Sequence, residues 1–200
     1  MIVVGTIYAG IATPTEAASL GVLAVLLLTI IKKRFSFKML NSALLATAVT
    51  NAMLMMIIIA AALLNFAFGL VGFSKTLETY VLGLDLSPVS IILIIVVIYL
   101  VLGTFLEGLS LTVLTVPVLA PIVFALGYDP VWFGVLVVLV TEAGLITPPV
   151  GMNCYIVQAA RGKGAGPLQD VFVGVAPYVS ALLIMIGLII IFPQIPLWYR

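Results

Sequence analysis

The sequence contains no histidine and a single cysteine, Cys154. Without histidine the chain lacks the commonest general base and the commonest metal ligand. One thiol closes no intrachain disulfide and builds no thiolate metal cluster. Charge is scarce too: 8% of the residues are charged, eight basic and seven acidic, for a net +1. No basic patch is present that nucleic acid would bind. What fills the chain is hydrocarbon, with 64% hydrophobic residues and a mean hydropathy of +1.41. Soluble domains run at about 45–50% apolar and about 25% charged. A 200-residue soluble fold cannot bury this much apolar surface, so the composition is that of a polytopic protein of the lipid bilayer. The opening MIVVGTIYAGIATPTEAA lacks the basic n-region of a signal peptide. It starts inside an apolar segment, and the expectation is the later part of a longer protein, or one piece of a split gene.

Apolar segments of about 20 residues are the spanning unit. Residues 14–31 form the first. Thr13-Pro14-Thr15-Glu16 reads as its capping box, with Thr13 as N-cap, Pro14 at the first helical position and Glu16 reaching back. Lys32, Lys33 and Arg34 end it, and 35–38, FSFK, reads as interfacial, so 1–38 is a spanning helix and a loop. A second helix runs from about 39 to the low 70s, weakened at Asn65, Gly69 and Gly72. It is too long for one simple span, and its last turns are expected to bend out or to end near Asn65. Residues 73–87, with Lys75, Glu78 and Asp85, read as a short surface helix or loop that completes a segment 39–87.

Residues 88–126 hold two apolar arms, about 88–102 and 111–126, around GTFLEGLS. Each arm rises about 24 Å at about 1.5 Å per residue, against a hydrocarbon core of about 30 Å. Two full spans would place Glu107 at the far surface, whereas a re-entrant hairpin would keep it inside; length alone leaves both open. Residues 131–160 form a span broken by GLITPPVGMN, residues 144–153. Interior proline costs a helix roughly 3 kcal/mol and glycine roughly 1. A loop follows at 161–166, then a last span at 170–192, ended by Pro193 and Pro196, with Trp198 and Tyr199 as interfacial anchors. By the positive-inside rule, Lys32, Lys33, Arg34 and Lys38 mark one cytoplasmic loop, and Arg161 and Lys163 another. That places 73–87 and Asp129 outside and makes 88–126 an even number of crossings or a re-entrant pair.

Non-helical backbone at membrane depth is tolerated only where protein or water covers it. Two places qualify, the tip Gly103–Ser110 and the break Gly144–Gly151. Secondary transporters bring discontinuous helices together in this way, with half-helix N-termini facing anions and freed carbonyls coordinating sodium. Sodium is a hard cation, and the available oxygens suit it: Ser110, Thr112 and Thr115 at the tip, and Thr141, Thr147 and Asn153 at the break. Ser110 and Thr147 are the candidate sodium ligands. Plainer readings stand beside these. Pro148-Pro149 is a loop between two short helices, Gly103 and Gly108 allow close packing, Thr112 and Thr115 bond back to their own helix, Glu16 is a cap, and Cys154 is a packing residue. Glu107 and Glu142 are harder to set aside, because a charge near the bilayer centre costs about 2.5–3.5 kcal/mol on insertion scales. Each is protonated, faces the outer water, or pairs with a cation.

Enzyme chemistry fits poorly. An intramembrane serine protease of the rhomboid type needs a Ser–His pair, and there is no histidine. An intramembrane aspartyl protease needs two buried aspartates, and Asp85 stands in a surface segment. No phosphate-cradling glycine loop is present, which argues against ATP hydrolysis by this chain.

The stretches GTIYAGIATPTEAASLGVL, LGTFLEGLSLTVLTVPVLAPIVFALGYDPVWFGVLVVLVTEAGLITPPVGMN and FPQIPLW closely resemble the C-terminal half of the large membrane subunit of TRAP (tripartite ATP-independent periplasmic) transporters. The resemblance covers essentially the whole chain in order. It implies an all-α polytopic membrane protein with a re-entrant hairpin and a broken helix, one half of an inverted-repeat, elevator-type transporter of the ion-transporter superfamily. It also implies a multi-pass permease subunit in a bacterial or archaeal inner membrane, importing an organic acid such as a C4-dicarboxylate or sialic acid. Na⁺ would be the coupling ion, with no other cofactor. The partners implied are a small membrane subunit, a periplasmic substrate-binding protein and the N-terminal half of the large subunit. The ion and substrate positions carried over are Gly103, Glu107, Gly108, Ser110 and Thr112 at the tip, and Gly144, Thr147, Pro148, Pro149, Gly151 and Asn153 at the break. Two other readings remain open: a sodium/dicarboxylate or citrate-type carrier that needs no binding protein, and a truncated, non-transporting membrane fragment.

Overall fold

The computed structural model describes residues 2–162 and 166–198, so the predicted cytoplasmic mark Lys163 and the anchor Tyr199 lie outside the described residues. The chain divides into two compact units, Met1–Met53 and Leu54–Arg200. All regular elements among the described residues are helical.

In the first unit, α1 (Ile2–Tyr8) packs closely on α2 (Pro14–Ile31). A Cβ on Gly21 would stand 2.7 Å from Val3 Cγ2, so glycine is what lets the two approach. The capping box forms as the sequence predicts: Thr13 N–H donates to Glu16 Oε2 at 2.8 Å, and Glu16 N–H donates to Thr13 Oγ1 at 3.4 Å. The far end of α2 closes without glycine. Lys33 takes a left-handed conformation (φ 53), while Lys33 N–H bonds Ile30 O and Arg34 N–H bonds Thr29 O, a Schellman closure. Ser36 Oγ then accepts from Met39 N–H at 3.3 Å and starts the next helix.

That helix, α3 (Phe37–Leu70), runs 34 residues and continues into the second unit. The end at Leu70 is close to the predicted low 70s, and of the two expectations for the last turns an end near Asn65 is overturned. Asn65 does not break the helix; its Nδ2 donates a long bond, 3.5 Å, to Val113 O. The stop comes at Gly72, whose φ of 65 costs glycine almost nothing. The second unit goes on with α4 (Phe73–Leu82), α5 (Pro88–Gly103), α6 (Gly108–Ala125), α7 (Pro130–Ile146), α8 (Met152–Arg161), α9 (Leu168–Ile191) and a 3-10 turn, Ile195–Leu197. Of the two readings of 73–87, helix or loop, the helix forms over Phe73–Leu82 and a loop follows it. Among the described residues, four helices, α2, α3, α6 and α9, are long and apolar enough to cross a membrane. The arm α5 and the first part of the broken span, α7, are shorter, at 16 and 17 residues.

The core of the second unit lies between α5, α6, α7 and α9. Ile92, Tyr99, Leu111, Trp132, Leu136 and Ile189 are buried there. Its two polar ties join helices. Tyr99 Oη and Thr115 Oγ1 share a hydrogen bond of 2.5 Å between α5 and α6. Trp132 Nε1–H donates at 2.8 Å to Ile189 O, a carbonyl in the last turn of α9 that has no partner within its own helix.

Candidate functional site

The break forms where it was predicted. Thr147, held out of the helical region by the proline after it, is extended (φ −91, ψ 137). The Pro148-Pro149 bond is cis, and Gly151 takes φ 58 before α8 begins. Gly151 is required twice, for its left-handed backbone and because a Cβ would stand 2.9 Å from Phe172 Cε1. The two prolines supply no N–H, so the closing carbonyls of α7 find other donors. Thr147 N–H bonds Gly144 O, Thr147 Oγ1–H bonds Ala143 O, and Cys154 Sγ–H bonds Ile146 O. On the far side, α8 starts at Gly151 with no side-chain cap. Its first N–H groups have no helical partner, and among the described residues the Asn153 side chain makes no hydrogen bond.

At the other candidate, α5 ends at Gly103 and α6 begins at Gly108. Glu107 is extended and caps α6. Its carboxylate accepts from Leu109 N–H at 3.1 Å, Ser110 N–H at 3.0 Å and Ser110 Oγ–H at 3.1 Å. Sequence reasoning missed this role; the signal was an acid three residues before a small polar residue at the start of an apolar arm. Thr112 and Thr115 take the plain reading, donating to Gly108 O and Leu111 O of their own helix.

The structure brings the two candidates together through glycine. A Cβ on Gly103 would stand 3.1 Å from Gly144 Cα, and one on Gly144 only 2.8 Å from Gly103 Cα, so the ends of α5 and α7 cross backbone to backbone. One turn away, a Cβ on Gly108 would meet Thr141 Cγ2 at 3.1 Å and Leu145 Cδ1 at 3.3 Å. Thr141 is 5% exposed. Its Oγ1 is buried with no hydrogen-bond partner among the described residues. Thr104, also buried, was not singled out; it bonds back to Val101 O. The hydroxyls of Ser110 and Thr147, by contrast, are engaged within their own motifs. Residues 1–195 match the family described as "Tripartite ATP-independent periplasmic transporter, DctM component". The chain belongs to this TRAP transporter family.

Several relatives are similar over nearly the whole chain. The sialic acid TRAP transporter large permease of Vibrio cholerae is 33% identical over 198 residues, 98% of this chain and 46% of that protein. The C4-dicarboxylate TRAP large permease of Rhodobacter capsulatus is 33% identical, over 98% of this chain and 44% of its own length. The isethionate TRAP permease of Oleidesulfovibrio alaskensis is 32% identical, over 100% of this chain and 31% of its own. The chain therefore spans less than half the length of these relatives. Membership makes it a multi-pass membrane protein of a transporter family, not an enzyme.

Proposed function

We propose that this chain forms one half of the ion and substrate site of a sodium-coupled importer of organic acids in a bacterial or archaeal inner membrane. The crossing of Gly103 over Gly144 carries the reading, because it leaves Thr141 Oγ1 buried and bare between tip and break. A buried polar group without a partner costs about 1–3 kcal/mol. A sodium ion in transit removes that cost and takes further oxygens from the unwound backbone and from Thr147 and Ser110. The hairpin α5–α6 is re-entrant in this reading, and the carrier works as an elevator. Its partners are a small membrane subunit, the N-terminal half of the large subunit and a periplasmic binding protein.

The relatives are named for sialic acid, C4-dicarboxylate and isethionate, all organic anions. No lysine or arginine of this chain stands on α5, α6, α7 or α9. Anion recognition then falls to backbone. The α6 N-terminus is already filled by the Glu107 carboxylate, which leaves the uncapped start of α8, with its partial positive charge and the Asn153 amide. The complete transporter in liposomes tests this. Uptake follows an imposed sodium gradient at fixed pH, Thr147→Ala and Thr141→Val raise the sodium concentration for half-maximal uptake, and Thr147→Ser is mild. Uptake that follows a proton gradient in sodium-free buffer, and is removed by Glu107→Gln alone, refutes the reading.

A further inference from the structure

Glu142 has no part in the site described above. It lies on α7, one residue beyond Thr141 and about 100° round the helix from it, and is exposed. It opens onto a groove of about 600 Å³ between α7 and α9 whose other walls include Leu139, Val175, Tyr178, Leu182 and Met185. Among the described residues, no hydrogen bond or ion pair reaches its carboxylate. It stands twelve residues into α7, about 18 Å along the axis from Pro130, and the facing Tyr178 stands about 15 Å along α9 from Leu168. Both depths put the groove near the middle of a hydrocarbon core about 30 Å thick. A phospholipid headgroup lies too far out to meet the carboxylate there. An uncovered charge at that depth is expensive, and intramembrane acids face partners or water rather than lipid.

We infer that a membrane-spanning helix of the N-terminal half of the large permease seats in the α7/α9 groove and presents a lysine or arginine to Glu142. The cation has to come from outside these helices, since α5, α6, α7 and α9 contain none. The apolar walls accept a helix side, and the one acid fixes its register, the best-attested use of a charged group in an apolar interface. The choice of occupant rests on the proposed function and on length: more than half of each relative described above lies beyond the matched region.

The experiment uses the complete transporter in its own membrane, with Tyr178 or Val175 replaced in turn by the photoreactive residue p-benzoyl-phenylalanine. After irradiation, the crosslinked peptides are sequenced by mass spectrometry. The expected product joins the groove to a spanning segment of the N-terminal half that contains Lys or Arg. Crosslinks to lipid only, to the small subunit, or to a span without a basic residue overturn the inference. In a second arm, Glu142→Arg is expected to lower uptake by about tenfold or more, because losing one partner of a buried pair is strongly destabilising, and reversal of the crosslinked basic residue to Glu restores it. A double variant no better than Glu142→Arg overturns the pair. Should Glu142→Arg fail to assemble, Glu142→Gln serves: a lowered unfolding midpoint supports the pair, and an unchanged one overturns it. Crosslinks are scored whether or not uptake is sodium-driven, so failure of the earlier reading is seen separately.

Discussion

Gly144→Ala is the smallest change that strikes the joint between hairpin and break. The added methyl would stand 2.8 Å from Gly103 Cα, 3.1 Å from Gly103 C and 3.3 Å from Leu100 O. Carbon atoms settle at about 3.5–4.0 Å, so α5 must retreat by about 1 Å; every atom met is backbone, and none can swing aside. Overpacking of this kind costs about 1–3 kcal/mol. Replacing glycine by alanine within a helix returns about 1 kcal/mol. The net loss is about 0–2 kcal/mol, and the protein still folds. Function suffers more, because the retreat carries Gly103 away from Gly144 and from the Thr141 backbone beside it. In preorganised sites a misplacement of about 1 Å costs about a hundredfold in rate. The assay is initial uptake by the complete transporter in liposomes, beside its thermal unfolding midpoint in detergent. Gly134→Ala, on the same helix with no atom within 4 Å of the new methyl, is the control and leaves uptake unchanged. Normal uptake by Gly144→Ala, or an equal loss in Gly134→Ala, refutes the reasoning.

Two further outcomes follow from the geometry. Glu107→Ala removes the acceptor for Leu109 and Ser110 N–H and destabilises the transporter by about 1 kcal/mol, whereas Glu107→Asp keeps a favoured N-cap and stays near the parent; equal unfolding midpoints for the two would exclude the capping role. Cysteine placed at Ser74 is expected to react with an impermeant maleimide from the periplasmic side and cysteine at Gly166 only from the cytoplasmic side, as the clustering of Lys and Arg requires; periplasmic labelling at Gly166 sinks that topology.

The break at 147–151 was legible because its signals are local: two prolines remove donors, and a glycine permits a left-handed turn. The cap at Thr13 was legible for the same reason, whereas the start of α6 at its Glu107 cap, three residues before the predicted arm, was not. That α3 passes Asn65 without a break was not either. Propensity marks Asn65 and Gly69 as weak points at a cost of up to about 1 kcal/mol each, but Asn65 meets a carbonyl of α6, a tertiary fact that overrides it. Gly103 and Gly144 each stood out in the sequence, yet nothing local says that they face one another. Thr141, Thr147 and Ser110 were equal as oxygen donors by residue type. Burial and partner count separate them, and both depend on how α5, α6 and α7 pack.

The prolines of α6 have a mechanical consequence. Pro117 and Pro121 stand four residues apart, so two successive rungs of the helix ladder, to Val113 O and Pro117 O, are missing along one stripe. Asn65 replaces the first with a long bond; α5 has no interior proline and keeps its rungs. The hairpin is thus built from a stiff arm and a compliant one, tied together by Tyr99 and Thr115. Load applied at its tip is taken up as bending of α6 along the weakened stripe. The glycine crossing lies on the stiff arm, so the joint at Gly103 and Gly144 stays in register while the other arm flexes.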